Sequence, residues 1–261
     1  MNMEKMRIKR GQVTIFIIVA IVIAAILIIL FYPRLKRLVV PSAPSLQLQS
    51  CIDESLEEAI ELISKRGGSI NPANYFMYKG ENIEYLCYTN QYYQTCSNQQ
   101  PLLKQHIERE ILDYIKPEAK SCVENMKNDL RKKGWQVSSE KEDMSVSIVP
   151  NNIKVIVSGF SAVRGDTGER YKEFEAKYKS KLYDLLMLST SILNWEARYG
   201  DSDITTYMAY YPNIKVEKYK QSDGSKIYIL TARNERESFI FASRSLSWPA
   251  GYEFNTYNPR V

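Results

Sequence analysis

The chain is poor in the residues that most enzyme signatures require. Its 261 residues include a single histidine, His106, and the sequence contains no P-loop, GxSxG, HExxH or GxGxxG pattern. One imidazole excludes a His-rich metal site and leaves one residue for any Ser-His-acid arrangement. We therefore expect no enzymatic activity, no cofactor and no metal, and we expect His106 to lie at the surface or core edge of an amphipathic helix.

A strong excess of one charge is also missing. Lys and Arg total 35 against 30 Asp and Glu, and after the first ten residues the balance is 31 against 29. Nucleic-acid binders gain much of their affinity from basic residues that displace counterions from phosphates. We expect no nucleic-acid partner. Only 11 Gly and 10 Pro accompany 44% hydrophobic residues, which excludes a disordered or collagen-like chain.

One long apolar run dominates the N-terminal region. No charged residue occurs from Gln12 to Tyr32, and the interior is almost entirely Ile, Val, Leu, Ala and Phe. About 20 such residues are needed to cross the hydrocarbon layer of a bilayer as a helix. A removable signal peptide would have a shorter apolar stretch and a small-residue cleavage site, and no AxA pattern follows here. The sequence predicts a transmembrane helix at 12–33 and hence the lipid bilayer as a partner.

The orientation of this helix depends on the cysteines, because basic residues flank it on both sides and the charge bias is small. The chain has four cysteines and no CxxC pair, which is typical of two disulfides. Disulfides persist outside the reducing cytoplasm. We expect a single-pass protein of the cell membrane with a cytoplasmic N-terminus and an extracytoplasmic main domain.

Four cysteines allow three pairings, and local structure favours one of them. Cys87 and Cys96 flank a short loop beside a predicted strand. Cys51 and Cys122 lie on two predicted helices whose apolar faces need a common partner. We predict the disulfides Cys51–Cys122 and Cys87–Cys96.

The stretch KRGQVTIF, residues 9–16, resembles the class III signal sequences of archaeal pilins, archaellins and related surface proteins. The resemblance implies cleavage by a prepilin-type signal peptidase on the cytoplasmic side. Lys9 and Arg10 correspond to the basic pair, Gly11 to the last residue removed and Gln12 to the new N-terminus. The apolar helix would then remain in the mature protein as an anchor and as a packing element. The chain lacks the glutamate that bacterial pilins carry early in this helix. The alternative is that the motif is only the basic flank of a signal anchor.

The remaining residues predict an α+β fold that combines helices with an antiparallel β-meander. We expect a basic leader at 1–11, the membrane helix at 12–33 and a linker at 34–45. A helical subdomain with a disulfide-stapled hairpin follows at 46–134, and an α+β antiparallel-sheet region follows at 135–261. Within the subdomain, Pro117 is expected to begin a third helix. The apolar residues of 179–199 cover more than one helix face, which indicates a helix between two layers.

Other possible sites are weaker. The pair Asp201 and Asp203 is of the kind that holds a divalent metal in nucleotide-sugar transferases, but helix capping explains it better. Asp166 and Glu169 fit a hairpin tip better than a cation site. Nineteen Tyr occur in clusters such as NQYYQ, TYMAYYP and WPAGYEFNTYN, which suit either extracellular recognition or sheet packing.

Two functions follow as expectations. The first is a pilin-like, membrane-anchored cell-surface protein, a minor filament or envelope component that self-assembles or contacts other surface proteins. The second is a permanently anchored binding or adhesion module with no filament role.

Overall fold

A computed structural model describes residues 44–165, 170–235 and 237–247, together with the isolated positions Ile18 and Ile21. The described residues form four helices and two sheets in which most strand pairs are antiparallel, and this confirms the predicted α+β class. The leader 1–11, Asp166 and Glu169 lie outside the described residues. No helix within them is long and apolar enough to span a membrane, and the predicted span at 12–33 falls outside them apart from Ile18 and Ile21.

Two long helices pack side by side in opposite directions. Helix α1 spans Pro44–Arg66 and helix α2 spans Leu103–Lys132. The amide of Gln47 near the start of α1 donates to Asp129 near the end of α2 over 3.2 Å. The face that α1 buries repeats at helical spacing, with Leu48, Ile52, Leu56, Ala59, Ile60 and Ile63 all within the core. The end of α2 therefore lies beside the residues at which the chain enters the fold.

The prediction that Pro117 begins a separate helix is wrong, because α2 continues through it. Proline removes one backbone donor, which leaves the carbonyl of Asp113 without its helical partner. Both Pro117 and Asp113 are exposed, so water can satisfy that carbonyl. The buried stripe runs unbroken from Ile115 to Ala119 on the opposite side. Burial of this continuous face outweighs the local cost of the proline.

The first sheet is an antiparallel arrangement around a central strand. It contains β4 (Gln136–Val149), β5 (Asn152–Val163), β6 (Arg170–Tyr171) and β7 (Phe174–Lys179), and β5 pairs with the other three. Alternate residues of β5 are buried, with Ile153, Val155 and Val157 facing the core. This period of two is the pattern that predicts a half-buried strand.

The second sheet joins early and late parts of the chain. Its strands are β1 (Tyr75–Tyr78), β2 (Glu81–Tyr88), β3 (Ser97–Asn98), β8 (Ile214–Lys220), β9 (Ser225–Ala232) and β10 (Ser238–Arg244). The order is β1-β2-β10-β9-β8, with β3 beside β2. The β2–β10 pair is parallel, unlike the others in this sheet. Strand β2, from the predicted helical subdomain, is therefore continuous with the last three strands.

Two further helices lie on this second sheet. Helix α3 spans Leu182–Tyr199 and contacts β2, β3, β9 and β10 as well as α2 and β4, and the short helix α4 spans Ile204–Tyr210 and contacts β8. Helix α3 ends at Gly200, whose left-handed φ of 81° lets its N–H reach the carbonyl of Glu196. A Cβ at Gly200 would overlap the side chain of Ser247. The last described residues are thus held against the C-terminal end of α3.

Candidate functional site

The four cysteines form two disulfides, and the pairs are the predicted ones. Cys51–Cys122 joins α1 to α2 with 6.1 Å between the Cα atoms. Cys87–Cys96 joins β2 to the loop before β3 with 5.3 Å between the Cα atoms. The first cross-link fastens the helix through which the chain enters the fold. The second lies under the C-terminal end of α3, where Cys96 Sγ is 3.7 Å from Ser243 Oγ.

A group of charged side chains is buried between α3 and the second sheet. Glu196 of α3 is fully buried and Lys226 of β9 is 3% exposed, and their charged atoms are 2.6 Å apart. The same carboxylate accepts hydrogen bonds from the hydroxyl of Tyr228 and, over 2.9 Å, from that of Ser243. Burial beside this carboxylate raises the pKa of Tyr228 well above its usual value. The carboxylate is therefore surrounded by donors, which compensates its removal from water.

Strand register explains why these groups meet. Lys226 and Ser243 are paired neighbours on β9 and β10, and Tyr228 lies two residues further along the same face of β9. Lys226 also donates to the carbonyl of Gly200 over 2.5 Å and lies 3.4 Å from Asp201. All three ammonium donors thus have acceptors within the fold. This saturated network can position α3, but it offers no group for chemistry.

The acidic pair singled out in the sequence serves two structural purposes. Asp203 caps α4, because its carboxylate accepts from the backbone N–H of Thr205 over 2.9 Å. Asp201 accepts from Lys218 over 2.8 Å. Burial alone would raise the pKa of Asp201, but Lys226 and Lys218 outweigh it and lower that pKa. Among the described residues no group of three or more His, Cys, Asp or Glu is placed to hold a metal ion.

His106 lies at the edge of the core and is hydrogen-bonded to a serine. Its Nε2 is 2.8 Å from the hydroxyl of Ser69, which also faces the carboxylate of Glu84. Desolvation raises the pKa of Glu84, and one of its carboxylate oxygens is buried without a partner among the described residues. A catalytic triad needs the acid on the far side of the imidazole from the serine. Here the acid approaches the serine itself, and Ser69 is only 6% exposed, so the geometry does not fit nucleophilic catalysis.

A surface pocket lies where α3, α4 and the ends of β8 and β9 meet. Its volume is about 390 Å³, within the range of small-ligand and side-chain pockets. The floor consists of buried core residues, namely Leu185, Leu188, Ile214 and Ala232. Tyr183, Tyr210 and Tyr211 line it, so we call it the tyrosine pocket. Tyr210 is 78% exposed and Tyr211 52% exposed.

A stripe on α3 that is apolar except for one serine continues from this pocket. Met187, Ser191, Trp195 and Tyr199 follow one another at four-residue spacing, and we call them the α3 outer face. Met187 and Ser191 line the pocket. Trp195 and Tyr199 are about half exposed, and their ring centroids are 4.7 Å apart. Exposed large apolar side chains that are contiguous typically mark an interaction surface.

Sequence reasoning found part of this surface and missed the rest. The TYMAYYP cluster was a candidate for recognition, and its Tyr210 and Tyr211 line the pocket. The two tyrosines of NQYYQ, Tyr92 and Tyr93, are exposed, and WPAGYEFNTYN lies outside the described residues. The apolar residues of 179–199 predict a helix between two layers, but Trp195 is half exposed. The signal was present in 179–199, whose apolar residues cover more than one helix face. Such a pattern is typical of a helix between two layers and equally of a helix with one face uncovered.

The buried network carried no clear signal in the sequence. In strand β9 the residues Lys226, Tyr228 and Leu230 alternate with Ile227 and Ile229. The isoleucines are the more apolar of these two sets, so the period of two alone would place Lys226 on the less buried face. In the structure both faces are covered, because Ile227 is buried in a second apolar cluster with Ile83 and Tyr85. Neither Lys226 nor Glu196 was predicted to be buried.

Comparison of the chain with protein-family models, with curated proteins and with solved structures finds no match.

Proposed function

We propose that the chain is a pilin-like, membrane-anchored cell-surface protein that acts as a minor filament or envelope component. The observation that carries the proposal is the pair of disulfides within the described fold. Such cross-links are stable in an oxidising compartment. Together with the uncharged stretch 12–33 they favour an N-terminus in the cytoplasm and a folded domain outside.

The entry of the chain into the fold supports an anchoring role. Ten residues separate the predicted span from Pro44, which limits the distance between them to about 35 Å. Helix α1 begins at Pro44, and the Cys51–Cys122 bond fastens it to α2 within its first two turns or so. A pull on the anchor would thus be transmitted to a cross-linked helix pair instead of unravelling α1.

Processing of the leader distinguishes filament assembly from simple anchoring. A prepilin-type signal peptidase that cuts after Gly11 would remove Lys9 and Arg10 with the rest of the leader. A helix without these charges is less costly to draw out of the bilayer into an apolar assembly. Mass spectrometry of the N-terminal peptide from native membranes should find Gln12 as the first residue. Gly11→Leu should retain the leader, whereas Met3→Leu should be processed normally. An unprocessed terminus that does not change in a strain lacking the peptidase would contradict the proposal.

The orientation needs a separate experiment. Lys132 is 79% exposed on the domain surface, and Lys132→Cys should react with a membrane-impermeant maleimide on intact cells. Asn2→Cys in the leader should react only after lysis, provided that the sample retains the leader through Gly11→Leu. The opposite pattern of labelling would place the domain in the cytoplasm.

The tyrosine pocket favours the second candidate, a permanently anchored binding module. The pocket has an apolar floor, and its walls combine tyrosines with the charged residues Lys181, Asp184, Arg233 and Glu235. An apolar pocket with a few polar groups is typical of a recognition site. If the leader proves to be retained while the domain is outside, this second function is the one that the pocket supports.

A further inference from the structure

We infer that the α3 outer face and the tyrosine pocket bind the chain's own residues 248–261. The inference concerns the folded domain alone and does not depend on the membrane anchor. The two surfaces adjoin at Met187 and Ser191, and together they form a strip, apolar for the most part, that runs from Tyr199 to the pocket.

The position at which the described chain stops is the first argument. Ser247 packs against Gly200, directly after Tyr199. The hydroxyl of Ser245 donates to the carbonyl of Glu196 over 3.2 Å, and the N–H of Leu246 donates to Gln94 over 3.0 Å. Residues 245–247 are therefore fixed at the C-terminal end of α3. The residues that follow Ser247 are therefore tethered at the end of α3 that carries Tyr199.

The length of the segment is the second argument. From Tyr199 to Met187 is twelve helical residues, or about 18 Å. The fourteen residues after Ser247 can span at most about 46 Å. Phe254 is seven residues beyond Ser247, so it reaches about 23 Å, which is enough to arrive at the pocket. The segment covers the whole strip even when it is not fully extended.

The composition of the segment is the third argument. Residues 248–261 contain four aromatic side chains, Trp248, Tyr252, Phe254 and Tyr257, and only two charged ones, Glu253 and Arg260. Aromatic rings pack favourably against one another beyond the area that they bury. These lengths put the Trp195–Tyr199 pair within reach of Trp248, and the pocket beside Tyr210 and Tyr211 within reach of Phe254. A tethered segment also has a high effective concentration, which favours it over free partners.

Photocrosslinking of the full chain tests the inference. A benzophenone-bearing phenylalanine analogue replaces Met187 in one variant and Tyr211 in another, and the purified chains are mixed as equal parts of light and nitrogen-15-labelled protein. We expect the main crosslinked peptide to derive from residues 248–261 of the same chain. The same analogue at Tyr75, an exposed aromatic of β1 outside the strip, should not capture that segment. Two probe positions allow for a variant that does not fold, and retention of both disulfides checks the fold.

Substitutions in the segment make the test specific. Trp248→Ser combined with Phe254→Ser should reduce the crosslink at least tenfold, whereas Asn258→Ser should leave it within twofold. Crosslinks between light and heavy chains would show that a second copy occupies the strip, and the inference would be wrong. It would also be wrong if both probes, in folded protein, captured other segments or nothing.

Discussion

The two sides of helix α3 reverse the usual distribution of side chains. Its inner side carries a fully buried carboxylate, Glu196, and its outer side carries Trp195, which is half exposed. Exposed single hydrophobic residues are common in proteins, but buried charges and contiguous apolar surfaces require an explanation. The buried carboxylate is explained by partners within the fold, whereas the described fold provides no cover for the aromatic stripe.

The inner side of α3 holds the helix in place, whereas its outer side presents an apolar surface. On the inner side every hydrogen-bond or ion-pair partner of the Glu196 carboxylate is a residue of the second sheet, so the network fixes the position of the helix against the strands. On the outer side the tryptophan and tyrosine rings contact each other along the helix. We therefore expect inner substitutions to change stability and outer ones to change binding.

The largest expected effect is on the inner side. Lys226→Met leaves Glu196 buried without its cationic partner, and loss of one member of a buried ion pair typically costs about 3–5 kcal/mol. Urea unfolding of the solubilised chain, followed by tryptophan fluorescence, measures this change. Lys65→Met is the matched control, because its ion pair with Glu61 is exposed and is expected to contribute less than about 0.5 kcal/mol.

A second variant identifies the cause of that loss. Glu196→Leu combined with Lys226→Met removes both charges, so part of the lost stability should return. If the single Lys226→Met variant loses less than about 1 kcal/mol, the network does not hold α3 in the way that we infer.

The two disulfides differ in the length of chain that they close. Cys51 and Cys122 are 71 residues apart, whereas Cys87 and Cys96 are 9 apart. In the chain-entropy model, alanine at both ends of the longer loop costs about 4 kcal/mol and alanine at both ends of the shorter one costs about 2.5 kcal/mol. Urea midpoints of the two double variants give the order. The reverse order would show that Cys87–Cys96 acts chiefly through its contact with Ser243 at the buried network.

Local sequence patterns were sufficient to predict the secondary-structure elements and the two disulfides. The period of two in β5 and the helical spacing of Ile52 and Leu56 predict the secondary structure, because each pattern reflects one buried face. The cysteine pairs followed from the same local reasoning. The pairing of distant strands could not be predicted from the sequence, since nothing in β2 indicates that it lies parallel to β10, some 155 residues later. The helix through Pro117 was missed because a continuous buried face outweighed a local signal.

The candidate site was harder to predict from the sequence than the fold, for a related reason. The sequence distinguishes apolar from polar residues, but it does not show which apolar stripe remains uncovered after packing. Met187 and Trp195 have the same apolar character as buried Leu188 and Ile192. Only the three-dimensional arrangement separates them.

A smaller effect is expected from Glu84, beneath the Ser69–His106 contact. Because its pKa in the folded protein is raised above the ordinary value of 4.5, the stability associated with the protonated form is present at acidic pH and is lost as the pH rises through the raised pKa. Glu84→Gln should remove this dependence. The difference in unfolding free energy between wild type and variant, measured from pH 4 to 8, should therefore shift in favour of the variant as pH increases.

Asp201→Asn provides a contrast. The pKa of Asp201 is lowered in the folded protein, so wild-type stability should fall relative to this variant as the pH drops below about 3.8.

The smallest effect on stability is expected on the outer side of α3. Trp195→Ser removes a ring that is 50% exposed, and surface substitutions away from caps and networks usually change stability by no more than about 0.5 kcal/mol. If residues 248–261 cover this ring, part of its contact is intramolecular, and the loss should be larger in the full chain than in a chain that ends at Ser247. Equal losses in both chains, together with an unchanged crosslink from Met187, would mean that the stripe serves a partner outside this molecule. Asn194→Ser is the matched control, because it changes an exposed residue of the same helix turn without removing an apolar side chain of the α3 outer face. It separates loss of the aromatic contact from loss of helix stability.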